Sequence, residues 1–177
     1  MATHVFSRTN IPVFWDDEFK QLEYINEDFN DPLNVAKWTA AGYADKFTGA
    51  MCDMRSRQPS WNAKFIQHFE NEGWLDIGTS YYRMGTGTIL PVHGDLYKKY
   101  VDIFNLNGRQ TTIRRAIVFL EDWASGHYAE INSVPIVNWS AGDTYIWTYD
   151  TPHMAANMGL TDRYTLQITG HVDVTQS

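Results

Sequence analysis

Cysteine is nearly absent from this chain: Cys52 stands alone among 177 residues. With no second thiol there is neither an intramolecular disulfide nor a zinc site built on several cysteines, which fits a reducing compartment. Long apolar runs are missing too. No stretch approaches the ~20 residues needed to cross a bilayer, and residues 1–10 lack the charged segment and apolar run of a secretory signal. A soluble cytoplasmic protein is the expectation. Positive charge is in deficit, 14 Lys and Arg against 21 Asp and Glu for a formal −7, so no sequence-independent grip on a nucleic-acid backbone is expected. Internal repeats and low-complexity linkers are likewise lacking, and a chain of this length with 44% hydrophobic residues fits one core and a single domain spanning 1–177.

What is abundant is aromatic surface, 15% of residues with seven Trp and ten Tyr, suited to ring packing and to lining a small-molecule pocket. The chain has two textures. Up to about residue 73 the signals are helical. Asp31-Pro32 precedes a helix over Leu33 to Ala41 that stops at Gly42, and a second runs from about Ser60 through Phe69, with Trp61, Phe65, Ile66 and Phe69 at helical spacing. From about 74 to 172, β-branched and aromatic segments alternate with turn residues. Strands are expected over Asp76–Met84, Thr88–His93, Thr111–Glu121, His127–Ile131, Ile136–Trp139, Thr144–Tyr149, His153–Met158 and Arg163–Val172. Strands of this number closing on themselves predict a mainly β fold with N-terminal helices: a double-stranded β-helix, or jelly roll, of the cupin-like kind.

Within that β region, His93 and Asp95 flank Gly94, and in an extended segment both side chains point the same way. His153 supplies a second imidazole from a distant strand. Two histidines and one carboxylate on one face leave the other face of a divalent metal open, an arrangement associated with non-haem Fe(II) chemistry. Iron is favoured over structural zinc, whose closed sites usually include thiolates; manganese, cobalt and nickel suit the same ligands. The other histidines, His4, His68, His127 and His171, fit no such pattern and read as structural or solvent-exposed.

Arg163 opens the run Arg163-Tyr164-Thr165-Leu166-Gln167-Ile168-Thr169, in which Arg163, Thr165 and Gln167 share one face and Tyr164, Leu166 and Ile168 the other. If the polar face lines a barrel interior, the guanidinium needs an anionic partner, and the far end of a dicarboxylate would satisfy it through paired charge-assisted hydrogen bonds.

Those four residues make the chain resemble the 2-oxoglutarate- and Fe(II)-dependent dioxygenases, whose motif is His-x-Asp, a distal His, and an Arg about ten residues later. The resemblance covers roughly Tyr81 to Gly170 and includes the Ala-Gly-Asp turn at Ala141–Asp143. The His-to-Arg spacing is similar to the prolyl-hydroxylase-like and aspartyl/asparaginyl-hydroxylase-like branches; the latter commonly lacks the carboxylate that Asp95 supplies here. The resemblance implies Fe(II), 2-oxoglutarate as co-substrate and O2. It implies His93, Asp95 and His153 as metal-binding and catalytic residues and Arg163 as the anchor of the far carboxylate. Tyr81, Arg83, Arg115 and Gln167 are the candidates for a further polar group beside that anchor; Arg114 has the opposite parity to Arg115, so at most one of the two is expected to point inward.

The implied reaction is hydroxylation, with release of succinate and CO2, of an amino-acid side chain in a peptide or protein, or of a small molecule. Residues 97–110 and 122–128 are expected as loops near the mouth, with Arg55, Arg57, Trp61 and Trp123 as possible substrate contacts. A cupin-like metal-binding protein or isomerase would use the same barrel and metal ligands without needing Arg163. A non-catalytic jelly-roll interaction protein would need neither.

Overall fold

A computed structural model describes residues 6–25, 32–43, 50–52 and 57–173. His4, Asp31 and Arg55 lie outside them. The described elements are β1 (Phe6–Asn10), β2 (Tyr24–Ile25), α1 (Pro32–Ala40), β3 (Ala50–Cys52), α2 (Asn62–Asn71), β4 (Trp74–Met84), β5 (Thr88–His93), α3 (Lys98–Ile103), β6 (Ile113–Phe119), β7 (His127–Ile131), β8 (Val134–Ile136), β9 (Asp143–Thr148), β10 (His153–Asn157) and β11 (Arg163–Val172). The strands form a large sheet, ordered β1-β9-β6-β11-β4-β3-β2, and a small one, β5-β10-β7-β8. From β4 to β11 the chain changes sheet at every connection except the β7–β8 hairpin. This is a jelly roll, mainly β and antiparallel.

The alternation along β11 explains its two faces. Leu166 and Ile168, both fully buried, pack outward into a core shared with Phe65 and Phe69 of α2 and with Trp15, Phe19 and Trp61. Trp61, Phe65 and Phe69 recur every fourth residue, so α2 lays one aromatic stripe on the sheet. Burying each Phe ring contributes roughly 1.5–3 kcal/mol. The helix ends where Gly73 takes φ +83° and donates its N–H to the Glu70 carbonyl.

A second core lies between the sheets. Ile117, Phe119, Tyr145 and Trp147 from the large sheet meet Ala129, Ile131 and Ile136 from the small one, with Trp139 stacked on Phe119 at 3.9 Å. This packing closes part of the barrel, and an open cavity occupies the remainder.

Several expectations need correction. Residues 1–73 are not simply helical, because β1, β2 and β3 all join the large sheet. The strand β1 is mostly exposed and carries no apolar alternation; backbone pairing to β9 alone makes it a strand. The strand expected over Ile136–Trp139 is Val134–Ile136 instead, and Asn138 departs from the sheet at φ +57°. Lastly, residues 97–110 are not only loop: they contain α3, which flanks the cavity mouth.

Candidate metal centre and cavity

A cavity of about 780 Å³ opens between the two sheets. The large sheet lines it with Ser80, Tyr82, Arg115, Gln167 and Thr169 beside Ile117 and Trp147, and the small sheet with Leu90, Ala129, Ile131 and Ala155 beside His93, Glu130 and His153. His93, the last residue of β5, and His153, the first of β10, are register partners across an antiparallel pair, with ring centroids 4.3 Å apart. Asp95 follows two residues beyond the end of the strand. The intervening glycine matters here, since a Cβ at Gly94 would lie 2.5 Å from Asp150 Oδ1.

One ligand atom from each of His93, Asp95 and His153 can be chosen so that all lie within 4.8 Å of one another. Asp95 Oδ1 is 3.6 Å from His93 Nε2, and Oδ2 is 3.8 Å from His153 Nε2. Each imidazole is held from behind. His93 Nδ1 bonds the Pro91 carbonyl at 2.8 Å, and His153 Nδ1 bonds that of Thr151 at 2.9 Å. Those bonds place the proton on Nδ1 and turn the Nε2 lone pair inward, as metal-binding histidines require. Burial, and then the neighbouring His153, pushes the His93 pKa down to about 4, so its ring is neutral. The indole of Trp38 meets His93 edge-on at 5.5 Å, and that of Trp147 packs 5.2 Å from His153.

Burial on its own pushes the Asp95 carboxyl up. His153, Arg115 and His93, with a hydrogen bond from Tyr97, overcome that and hold it below the ordinary carboxylate range. Asp95 Oδ2 is nevertheless buried without a hydrogen-bond partner. Only two other buried side-chain atoms among the described residues share that condition, Arg163 Nε and Thr165 Oγ1. Folded proteins pair nearly all such atoms, so three orphans on the inner faces of one barrel call for a ligand. The donor set also suits the group the motif implies, with two imidazoles and a carboxylate for a divalent metal.

Arg163 begins β11 and is 3% exposed. One Nη donates to the Tyr128 carbonyl at 2.8 Å, and no carboxylate among the described residues pairs with it. Burial pushes its pKa down to about 10, with the Tyr82 phenol pulling the other way.

Of the candidates for a polar group beside that anchor, Tyr81 and Arg83 sit on the wrong face of β4. The Tyr81 ring is buried in the outer core with its hydroxyl on Asn62 Oδ1 at 2.9 Å, and Arg83 lies over Tyr24 and 3.9 Å from Asp162. Tyr82 points inward in their place. Parity could not distinguish them, because both faces of β4 are buried against rings. Arg115 and Gln167 do line the cavity. Arg115 donates to Gln167 Oε1 and Thr169 Oγ1, its Nε is 3.8 Å from Asp95 Oδ2, and its guanidinium lies 6.0 Å from the Tyr97 ring centroid. It is not beside Arg163, however. Arg115 pairs with Thr169, six residues along β11 from Arg163, or about 20 Å at ~3.3 Å per residue.

Arg114 turns outward, its Nη bonding the Thr111 and Ile113 carbonyls. Arg57, Trp61 and Trp123 do not line the cavity: Arg57 pairs with Glu18, Trp61 lies in the outer core, and Trp123 donates to the His127 carbonyl. His127 bonds the Thr161 carbonyl, and His171 contacts Tyr100 and Asp76. Both remain outside the metal constellation, as does His68. Sequence reasoning missed Tyr82, Tyr97, Thr165 and Trp147. For Thr165 the signal was present, since it shares a face with Arg163 and Gln167.

No protein-family model and no curated protein matches the chain in sequence. Among solved structures it is similar to a prolyl-4-hydroxylase from Pseudomonas putida, with TM-score 0.57 and 14% identity over 97% of this chain and 94% of that one. It is also similar to SnoK, a non-heme alpha-ketoglutarate-dependent carbocyclase from nogalamycin biosynthesis, with TM-score 0.51 and 11% identity over 90% of this chain and 85% of that one. At such identities the relation is one of fold, the jelly roll described above. No helix among the described residues is long and apolar enough to cross a membrane.

Proposed function

We propose that this chain is a 2-oxoglutarate- and Fe(II)-dependent dioxygenase that hydroxylates a peptide or protein side chain, or a small molecule, with release of succinate and CO2. The observation that carries the reading is the set of three orphaned buried atoms, Asp95 Oδ2 at the candidate metal, Arg163 Nε of a residue that lines the cavity, and Thr165 Oγ1 on the same face of β11 as Arg163. The separation suits the co-substrate. Arg163 bonds Tyr128, three residues along β7 from Ile131, which is the register partner of His153, and three residues advance about 10 Å. A five-carbon dicarboxylate, with a metal bond at one end and a hydrogen bond at the other, bridges about that distance.

In this reading His93, His153 and Asp95 hold Fe(II) on one face, and the carbonyl bonds behind each ring keep both imidazoles aimed. Arg163 and Thr165 receive the far carboxylate of 2-oxoglutarate. When bound, the metal and co-substrate supply the oxidising chemistry, one atom of O2 entering succinate and the other the product. Trp147, Leu90 and Ala155 keep water from the reacting centre. The lone Cys52 and the need to keep iron reduced favour a cytoplasmic setting.

Anaerobic titration with Fe(II) and 2-oxoglutarate tests the proposal. The weak visible charge-transfer band of the chelate is expected with the intact chain and lost in Arg163→Ala and His153→Ala. No band at excess Fe(II) and 2-oxoglutarate would overturn it, and metal binding without co-substrate binding would favour the cupin-like alternative.

A further inference from the structure

Arg115 has no place in the scheme above, yet its side chain is only 18% exposed and it stands beside the candidate metal. It is also well held. Gln167 and Thr169 accept from its two Nη groups, and its Cζ lies over the Tyr97 ring, 6.0 Å from the centroid. Its nearest carboxylate is Asp95, at 3.8 Å. A metal on Asp95 draws that charge to itself, leaving a fixed and largely buried guanidinium without an anion.

Charge around the whole cavity points the same way. Among the described residues, Lys98, Lys99, Arg115 and Arg163 line it against Asp95 and Glu130, an excess of two positive charges within a chain of formal charge −7. Loading adds a divalent cation and a dicarboxylate dianion. These cancel, and the excess survives. After Arg163 has taken the far carboxylate of the co-substrate, the positive charge left beside the metal ligands is Arg115. The cavity, at about 780 Å³, is large enough for the co-substrate and a second small group.

We infer that the primary substrate bears a carboxylate and that Arg115 is the residue that binds it, placing a C–H bond near the acid group over the metal. This rests on the oxygenase reading and deepens it. With its Nη groups held by Gln167 and Thr169 and its Nε edge turned toward Asp95, the guanidinium is fixed beside the metal ligands, where it can receive a carboxylate through charge-assisted hydrogen bonds. The carboxylate can come from a free acid or from an acidic side chain in a peptide.

The test uses matched pairs on the Fe(II)- and 2-oxoglutarate-loaded chain. One arm sets the free L-amino acids against their primary amides, and the other sets capped tripeptides with central Asp or Glu against those with Asn or Gln. Binding is read from perturbation of the chelate band, turnover from succinate formation. At least one acid should exceed its amide by about tenfold or more in both. Arg115→Met should bring that ratio close to one while the chelate band still forms, and Arg115→Lys should restore part of it. A panel in which no acid exceeds its amide overturns the inference. So does loss of the chelate band in a folded Arg115→Met, which would assign this arginine to the co-substrate. If the methionine variant does not fold, the acid-to-amide ratio on the unmodified chain decides. Failure of the unmodified chain to form the band would instead strike the oxygenase reading itself.

Discussion

The guanidinium of Arg163 has one backbone carbonyl as partner and almost no water. Removing such a charge from solvent without an anion costs several kcal/mol, so its presence weakens the ligand-free fold. Replacing it with a long apolar side chain should therefore leave stability unchanged or raise it. Arg163→Met is expected to unfold in urea at an equal or higher midpoint than the parent, while its affinity for 2-oxoglutarate in the presence of metal falls by roughly two orders of magnitude or more. Urea melts and chelate titrations measure the two effects separately. A variant that is clearly less stable and binds 2-oxoglutarate normally would mean that Arg163 serves the fold. This residue was legible in the sequence because a charged residue on the inner face of a strand has few structural uses. The choice between Tyr81 and Tyr82 was not legible, since two like neighbours on opposite faces give alternation nothing to sort.

Elements were legible where side-chain pattern and turn residues agreed. Strands β5, β7 and β11 coincide with the bounds read from sequence, each set off by a glycine-bearing turn and rich in β-branched or aromatic residues. The helix α3 escaped for an identifiable reason. It is six residues long, too short for periodicity to show, and starts after Tyr97, a bulky residue in the left-handed region at φ +50°. Tertiary contacts hold it. The Tyr100 hydroxyl donates to the Asp76 carbonyl at 2.9 Å and lies 3.2 Å from His171 Nδ1, fastening the helix to the β4 and β11 ends where the register between them shifts by one residue. Tyr100→Phe keeps the ring against Phe104 and removes the fastening. It is expected to cost about 1 kcal/mol, or roughly 2–4 °C in melting temperature for a chain of this size, and to speed amide exchange in 98–103 more than in β11. Uniform acceleration across both would show that Tyr100 supports the whole barrel and not this helix in particular.

At the scale of the molecule, the two candidate ligand sites belong to different sheets. The metal ligands come from β5, β10 and the turn after β5, all on the small sheet, whereas Arg163 and Thr165 are on β11 of the large one. Metal alone ties strands already paired to each other. In its absence 2-oxoglutarate reaches Arg163 but meets the ionised Asp95 carboxylate at its other end with no divalent cation between them. With both present, one continuous linkage joins the sheets across the cavity, so the ligands should stabilise the fold cooperatively. A ligand at about a hundred times its dissociation constant adds about 2.7 kcal/mol, roughly 5–10 °C here. Thermal melts are expected to show a moderate shift with Mn(II), a small one with 2-oxoglutarate in chelator, and a joint shift exceeding their sum by a coupling of about 1–3 kcal/mol. Arg163→Met should keep the Mn(II) shift and lose the excess, because its end of the linkage is gone, while His153→Ala should lose the Mn(II) shift and the excess and keep the small shift with 2-oxoglutarate in chelator. Strictly additive shifts in the parent, or an excess that survives in Arg163→Met, would mean that the co-substrate does not span the sheets between these residues.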